Sequence, residues 1–412
     1  MTDCCTAPGL MPLETGLDTL RQEISPVTET EPVKLNDCCE RVLATDVVSP
    51  LNVPSHDNSA MDGYALRLAD LAASSCLPLA GQSLAGHPFE GELPAGQCTR
   101  IMTGASIPAG ADTVIMQEQT EMTDAGILFS KSPGKPGANI RLAGEDIKEG
   151  SQVFVKGHRI RPQDVGLLAS LGVPELTVFR KVKVAVFSTG DELRLPGEAL
   201  GTGDIYDSNR FSVRAMLERL GAEVIDLGRI PDDMELLREA FNKADVSADA
   251  VITSGGVSVG DADFVKDILN ELGKTSFWKL AIKPGKPFAF GTLPDSYFFG
   301  LPGNPVSATV TFQQLAAPAL LHMMGASPQK PMQIKAVCNT RLKKSPGRRD
   351  FQRGILTTND SGQAEVVSTG SQGSGILRSM SMANCYIVLP ESQGTVEAGE
   401  QVTVELFDQL FL

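Results

Sequence analysis

Residues 248–273 read ADAVITSGGVSVGDADFVKDILNELG. An apolar run ends in Thr253 and Ser254. It gives way to Gly255 and Gly256, small hydroxyls and the aspartates Asp261 and Asp263, and then to apolar residues at helical spacing. The order is strand, glycine loop, helix. A loop of this kind exposes backbone N–H groups at a helix N-terminus, where the helix dipole adds positive potential, and its glycines let a bulky anion come close. It is neither G-x-G-x-x-G nor the P-loop pattern, so in isolation it reads equally well as a plain strand-to-helix turn.

The neighbouring segments repeat the same grammar. KVAVFSTG (183–190) is an apolar strand, and DSNRFSVRAMLERLG (207–221) a helix with Asp207 or Ser208 as cap and Gly221 as stop. AEVIDLG (222–228) is a strand, and PDDMELLREAFNKA (231–244) a helix capped by Asp232 or Asp233. WKLAIKPG, PFAFGTL and YFFGLPG are three further strands. A long last helix, residues 305–325, is predicted to kink at Pro318. Strands alternating with helices specify a doubly wound, mostly parallel α/β domain, here residues 178–327, whose ligand lies beyond the carboxyl ends of the strands.

Outward from this domain the texture changes. After Pro331 the helical period stops, and short strands separated by Gly, Pro and Asn predict a β-barrel-like domain over 331–412. Residues 51–141 are rich in Gly, Pro and short alternating runs, a small β-rich domain. It is inserted into an N-terminal linking domain made of 7–50 and 142–177, with a helix carrying Leu13, Leu17, Leu20 and Ile24 and a second short helix in LNDCCERVLA (35–44).

The chain has 412 residues, 42% of them hydrophobic and 21% charged, with a formal net charge of -14, which excludes a general nucleic-acid binder. No apolar run is long enough to span a membrane, and MTDCCTAPGL is no secretory signal. The eight cysteines include two adjacent pairs without zinc-ribbon spacing and read as reduced thiols of a cytoplasmic protein. The four histidines are scattered, and neither G-x-S-x-G nor H-E-x-x-H occurs.

The unusual residues of the α/β domain fall at strand ends. TGDEL places Thr189, Gly190, Asp191 and Glu192 after one strand; Ser254, Gly255, Gly256 and Ser258 follow another. Lys279, Lys283 and Lys286 surround a third strand end, and LPGNP places Pro302 after a fourth. Loops converging at one sheet edge, with lysines beside them, form a local anion site inside an acidic protein. Glu192, Asp232 and Asp263 are the carboxylates expected to face that crevice, and a phosphate-bearing ligand beside them suits Mg²⁺. Helix capping explains Asp232 or Asp263 equally well but has no use for Glu192. DNSAMDGYAL (57–66) and RLAGEDIKEG (141–150) read by themselves as solvated turns.

Eight stretches in order, PSHDNSAMDGYAL, RLAGEDIKEG, VAVFSTGDEL, GDIYDSN, TSGGVSVGDADF, KPGKPFAFG, LPGNPVS and GSQGSGILRSMSMANCYIVL, together resemble the molybdopterin molybdenumtransferases, the molybdenum insertases of molybdenum-cofactor synthesis. The resemblance runs from about Pro12 to Phe411. It implies a four-domain homodimer that takes adenylylated molybdopterin and molybdate and yields molybdenum cofactor and AMP with Mg²⁺. An upstream molybdopterin adenylyltransferase is the implied hand-over partner. By motif, Ser254, Gly255, Gly256, Ser258 and Asp263 hold pterin phosphate and metal, and Thr189, Asp191 and Glu192 share the nucleotide and metal end. Lys279, Lys283 and Lys286, with Ser374 of the last domain, attract oxyanion and phosphate; Asp62, Thr103, Arg141 and Asp146 come from the second subunit of a shared site. Rival readings are an adenylyltransferase, a nucleotide pyrophosphatase or amidase built on the same doubly wound domain, and a gephyrin-like scaffold. The additional domains and the MDGYA and SMANC stretches weigh against the first two, and the third has no extra interaction segment to support it.

Overall fold

The structure, a computed structural model, describes residues 9–255 and 264–407. The first element is α1 (Leu13–Glu23), and the helical spacing of its apolar residues decides where it packs. Leu13 and Leu20 are buried with Trp278, Leu280, Leu315 and Leu320, so the segment assigned from sequence to the linking domain opens with a helix that lies in the central core. Beyond it the chain is tied together by antiparallel pairs distant in sequence: Thr30–Lys34 with Glu175–Phe179, and Val47–Val48 with Gln152–Phe154. The helix expected in LNDCCERVLA does not form. Only Leu35–Asp37 makes a 3₁₀ turn, because Val42 and Leu43 bridge instead to Arg159 and Val178, and Leu43 is fully buried there.

In this layer α2 (Pro162–Ser170) is fastened by Asp164. Its Oδ2 accepts from the Arg161 backbone N–H at 2.9 Å and from Arg161 Nε at 3.0 Å, and lies 2.7 Å from His158 Nε2. Between the two flanks, Gly63–Leu66 is the inner strand of a four-stranded sheet with Cys98–Ile101 and Thr113–Met116 on either side.

The central sheet contains β1 (Lys183–Thr189), β2 (Glu223–Ile230), β3 (Ala250–Ser254), β4 (Lys274–Lys279), β5 (Pro287–Thr292) and β6 (Tyr297–Leu301), in the order β2-β1-β3-β6-β5-β4. The first four in that order are mutually parallel, and β5 runs antiparallel to both β6 and β4. Thus β4 points the same way as the parallel four, and five strands end at one edge. Residues 184–187 are all buried because helices cover both faces. The side chains alternate. Val184, Val186 and Ile252 pack in one core with α3 (Asn209–Leu220), while Ala185, Phe187 and Val251 pack in the other with α4 (Met234–Ser247) and α5 (Phe264–Leu272). Gly221 ends α3 with φ 95°, a left-handed conformation that a side chain would strain.

The last long helix is interrupted by more than a kink at Pro318. It runs as α6 (Pro305–Thr311), widens into a π-turn over Phe312–Ala316, and resumes as α7 (Ala317–Met323). The widened turn precedes the residue that lacks an N–H, so Pro318 falls in the first turn of α7, where no intrahelical donor is needed.

The C-terminal region closes a five-stranded barrel from β7 (Ile334–Cys338), β8 (Arg349–Thr358), β9 (Ala364–Ser368), β10 (Cys385–Leu389) and β11 (Gln401–Leu406), in the ring order β8-β9-β7-β11-β10-β8. The barrel annexes the loop after β4: Ile282–Lys283 pairs in parallel with Arg349–Asp350. Among the described residues no helix is long and apolar enough to cross a membrane.

Burial pushes the Asp164 carboxyl up, but the Arg161 side chain, the Arg161 N–H and His158 outweigh it and hold its pKa at about 2. A carboxyl lowered on folding adds stability that is complete above its unfolded value near 4 and is lost as pH falls toward 2. Asp164→Asn should therefore cost about 1–2 kcal/mol at pH 7, with the gap to wild type closing between pH 4 and pH 2. Thermal melts across that range check it, and a pH-independent gap would contradict the assignment.

Candidate active site

At the carboxyl end of β1 the chain turns sharply. Gly190 has φ 143°, and a Cβ there would lie 2.6 Å from the Glu192 carboxylate. The turn exposes Asp191 and Glu192 while Thr189 stays buried. On the adjacent strand Ser254 is buried, and Gly255 follows with φ 97°. A Cβ on Gly255 would stand 2.9 Å from the Thr189 carbonyl oxygen, so the two strand ends touch backbone to backbone. Gly256, Ser258 and Asp263, the rest of the glycine loop's predicted site residues, lie outside the described residues.

Asp232 comes from the start of α4, with its backbone N–H donating to Asp191 Oδ1 at 3.2 Å. The choice of cap left open by sequence is resolved. Asp233 caps α4 by accepting from the Glu235 and Leu236 N–H groups, so the Asp232 carboxyl is left to face Asp191 and Glu192. Partial burial, followed by the charges of Asp191 and Glu192, raises its pKa above the usual carboxylate value. Like charges crowd the Asp232 carboxyl and disfavour its charged form. Among the described residues no three His, Cys, Asp or Glu side chains are gathered into a metal cage.

The third strand end is held by the barrel. Lys279 ends β4 and its carbonyl accepts from the Met11 N–H at 2.7 Å. Lys283 Nζ lies 3.5 Å from Asp350 Oδ2, a carboxylate 3% exposed that also accepts from Gln352. Lys279, Lys283 and Lys286 are all exposed. After β6, Pro302 is buried, and the helix that follows accepts the barrel as its cap: the Val306 N–H donates to the Ser374 carbonyl at 3.0 Å. Ser374 therefore stands beside the LPGNP loop through its backbone.

Asp62, Thr103 and Arg141 lie in the inserted β-rich region, and Asp146 just beyond it, where its N–H donates to the Val53 carbonyl at 3.0 Å. Asp62 Oδ1 accepts from both the Thr103 N–H and its hydroxyl, at 2.7 and 2.8 Å. These two bonds, the backbone one first, hold the exposed carboxyl below its usual pKa. Its neighbour Gly63 is obligatory, since a Cβ would meet the Ile115 carbonyl at 2.0 Å. Arg141 lies on a short strand, Ile140–Arg141, paired with Asn58–Ser59, so the two motifs read as solvated turns join into a built edge with Asn58 and Ser59 buried. Among the described residues no hydrogen bond or ion pair links 51–141 to the central sheet, so within one chain these residues and Glu192 are not drawn together by such contacts.

Three polar residues had no site role in the sequence reading, which named Asp207 only as a candidate helix cap. Asn209 Nδ2 donates to Ser254 Oγ and to the Gly303 carbonyl, both at 2.7 Å. Asp207, fully within the sheet edge, accepts from Ser188 and Arg210, and Arg210 also pairs with Asp226. Arg353 is 0% exposed, and donates to Ser379 and the Gly373 carbonyl, which fixes the loop bearing Ser374. An arginine in the strand DFQRGIL was its only signal. A cavity of about 650 Å³ between α1, the π-turn and the barrel contains none of the predicted site residues.

With this arrangement in view, comparison with known proteins is decisive. Residues 11–172 match the MoeA N-terminal region (domain I and II), residues 185–322 the "Probable molybdopterin binding domain", and residues 335–407 the MoeA C-terminal region (domain IV). A molybdopterin molybdenumtransferase of Haemophilus influenzae is 50% identical over 403 residues, 97% of this chain and 100% of that protein. The chain belongs to the molybdopterin molybdenumtransferase family. A molybdenumtransferase of this family from Nostoc sp. is 36% identical over 91% of this chain and 88% of its own length. The solved molybdopterin biosynthesis moeA protein of Pyrococcus horikoshii OT3 superposes with a TM-score of 0.82 at 32% identity, covering 96% of this chain and 100% of that one.

Gly255→Ala should leave the chain folded but weaken binding of a molybdopterin ligand at least tenfold, because both the left-handed backbone and the contact with Thr189 forbid a methyl group. Gly166→Ala, on α2 with nothing within 4 Å of the new Cβ, is the control and should bind within twofold of wild type. Pterin fluorescence titration reads both, and normal binding by Gly255→Ala would remove this strand end from the site.

Proposed function

We propose that this chain inserts molybdenum into molybdopterin, taking molybdenum from molybdate onto the dithiolene of adenylylated molybdopterin and releasing AMP. The observation that carries the reading is the edge where Thr189, Gly190, Ser254, Gly255 and Pro302 converge, with Asp232 crowded by Asp191 and Glu192. Full-length relatives named for this transfer support it.

In this reading Ser254 and Gly255 receive the pterin phosphate, together with Gly256 and Ser258 of the same loop. Thr189, Gly190 and Asp191 flank the nucleotide end. Lys279, Lys283, Lys286 and Ser374 hold the oxyanion between the central sheet and the barrel; the exposed lysines supply local positive charge in a chain of net charge -14. Molybdate sheds oxo groups as the two sulfurs bind, so protons must be delivered at that point. Lysine charge next to the phosphoanhydride favours its cleavage by water as AMP leaves.

Mg²⁺ is the ion these residues fit. The donors are carboxylate oxygens only, and Mg²⁺ keeps several waters and takes one or two carboxylates, so a full protein cage is not required. Glu192 and Asp232, with Asp263, would hold it, and it would neutralise charge at the phosphoanhydride.

Asp62, Thr103, Arg141 and Asp146 act on the site of a second copy. Exposed apolar side chains flank both halves, Met61 and Leu142 on one and Ile205, Tyr206 and Phe211 on the other, and a two-fold dimer buries such surfaces in two equivalent composite sites. The protein works in the cytoplasm, and the molybdopterin adenylyltransferase is its supplier.

Three measurements test this reading. Purified protein with adenylylated molybdopterin should release AMP only when molybdate is present, and molybdate-independent release would return the adenylyltransferase and pyrophosphatase readings. Asp62→Ala and Glu192→Ala homodimers should each be nearly inactive, while purified heterodimers, with one site doubly altered and one intact, should recover activity approaching half of wild type. Heterodimers as inactive as the parents would exclude the shared site. Asp232→Asn relieves the like-charge crowding, so its melting temperature without divalent ions should equal or exceed that of wild type, while the rise on adding Mg²⁺ should shrink or vanish. An undiminished rise would move the metal elsewhere.

A further inference from the structure

Asn209 opens α3 without capping it. Ser208 stands at the cap position without a side-chain bond of its own, and the first turn is served instead by Asp207, whose Oδ1 accepts from the Arg210 N–H at 3.2 Å. Asparagine at a helix start ordinarily serves that end of the helix or a local turn. Here its amide reaches away from the helix, to Ser254 Oγ and to the Gly303 carbonyl, each at 2.7 Å. It thereby ties together three strand-end segments: the approach to α3, the end of β3 and the loop after β6.

The chemistry of the two partners fixes the direction of both bonds. The Gly303 carbonyl can only accept, so the amide NH₂ faces it, and the second hydrogen of that NH₂ is the one directed at Ser254. Ser254 is therefore an acceptor toward Asn209, and its hydroxyl hydrogen must point elsewhere. Ser254 is 4% exposed, and among the described residues that hydrogen has no acceptor. Immediately after it comes Gly255, left-handed and so close to β1 that a Cβ would stand 2.9 Å from the Thr189 carbonyl oxygen. A buried hydroxyl that accepts on one side and meets no acceptor among the described residues is a preset donor.

We propose that Asn209 is a positioning residue, which by donating to Ser254 turns the serine hydroxyl proton toward the anionic group of the pterin substrate. The inference rests on the site reading above, in which Ser254 touches substrate. Asn209 itself does not. Its bond to Gly303 adds a second function: the same amide sets the height of the LPGNP loop, whose helix is capped by the Ser374 carbonyl. The phosphate-side and barrel-side loops are thus registered by one side chain.

The experiment is a double-mutant cycle read by equilibrium binding of adenylylated molybdopterin through its pterin fluorescence, which does not depend on turnover. Asn209→Ala should weaken binding roughly tenfold, and Ser254→Ala by a similar factor. In the Ser254→Ala background, Asn209→Ala should cost several-fold less than it does with Ser254 present, because the proton it directs is gone and only the Gly303 bond is lost. Asn209→Asp adds an acceptor that captures the serine proton, so with Ser254 present it should weaken binding more than Asn209→Ala does. Its excess over Asn209→Ala should fall in the Ser254→Ala background, where only charge repulsion remains. A role confined to latching the loops predicts instead equal costs for Asn209→Ala in both backgrounds, and that result overturns the proposal, as does unchanged binding by Asn209→Ala. Wild type that binds the pterin but releases no AMP on adding molybdate would overturn the transfer reaction alone. Wild type that fails to bind the pterin would overturn both.

Discussion

Position 255 has no room for a methyl group, because the carbonyl of Thr189 occupies the space. This close approach of two strand ends is the constraint around which the rest of the site is arranged. It requires glycine, brings the backbone of β1 against that of β3, and sets Ser254 beside the turn that exposes Asp191 and Glu192. In a parallel sheet the carboxyl ends of neighbouring strands lie level, so a loop from one can be supported by the next. The helices on both faces, with Phe187, Phe241 and Phe298 packed ring against ring on one of them, keep the strands from shifting.

The electrostatics follow from the same edge. An acidic chain proposed to take an anionic substrate needs its charges separated locally, and this edge separates them. Carboxylates collect at the ends of β1 and the start of α4, where Asp232 is raised by burial and by Asp191 and Glu192. Lysines collect four strands further on, at the far edge strand, where the barrel supplies the buried Asp350 as a partner for Lys283. The barrel is therefore joined structurally to this edge: it annexes the loop that carries Lys283, and through Ser374 it caps the helix that carries the LPGNP loop.

A chain of hydrogen bonds runs across this edge from Ser254 through Asn209 to Gly303, and from Val306 to Ser374. Each contact is modest by itself. Together they register loops contributed by segments more than a hundred residues apart, which a binding site for a large, multiply charged ligand needs before any catalytic group can act.

The sequence by itself determined the elements and the chemistry at their ends. Apolar runs, helical spacing, the Gly221 stop and the glycines at 190 and 255 are local features, and steric and capping rules act on them locally, so strand order apart, the α/β layer and the strand ends meeting at one edge were legible. Glu192 stood out for the same reason, as a carboxylate in a turn with no capping use. The tertiary structure alone decided the rest. It placed α1 in the central core, replaced the helix in LNDCCERVLA by bridges to Val178 and Arg159, chose Asp233 over Asp232 as the cap, and joined Asn209 to Ser254 and Lys283 to Asp350. These outcomes depend on which distant surfaces meet, and residue spacing carries no term for a contact between segments that only the folded chain brings together.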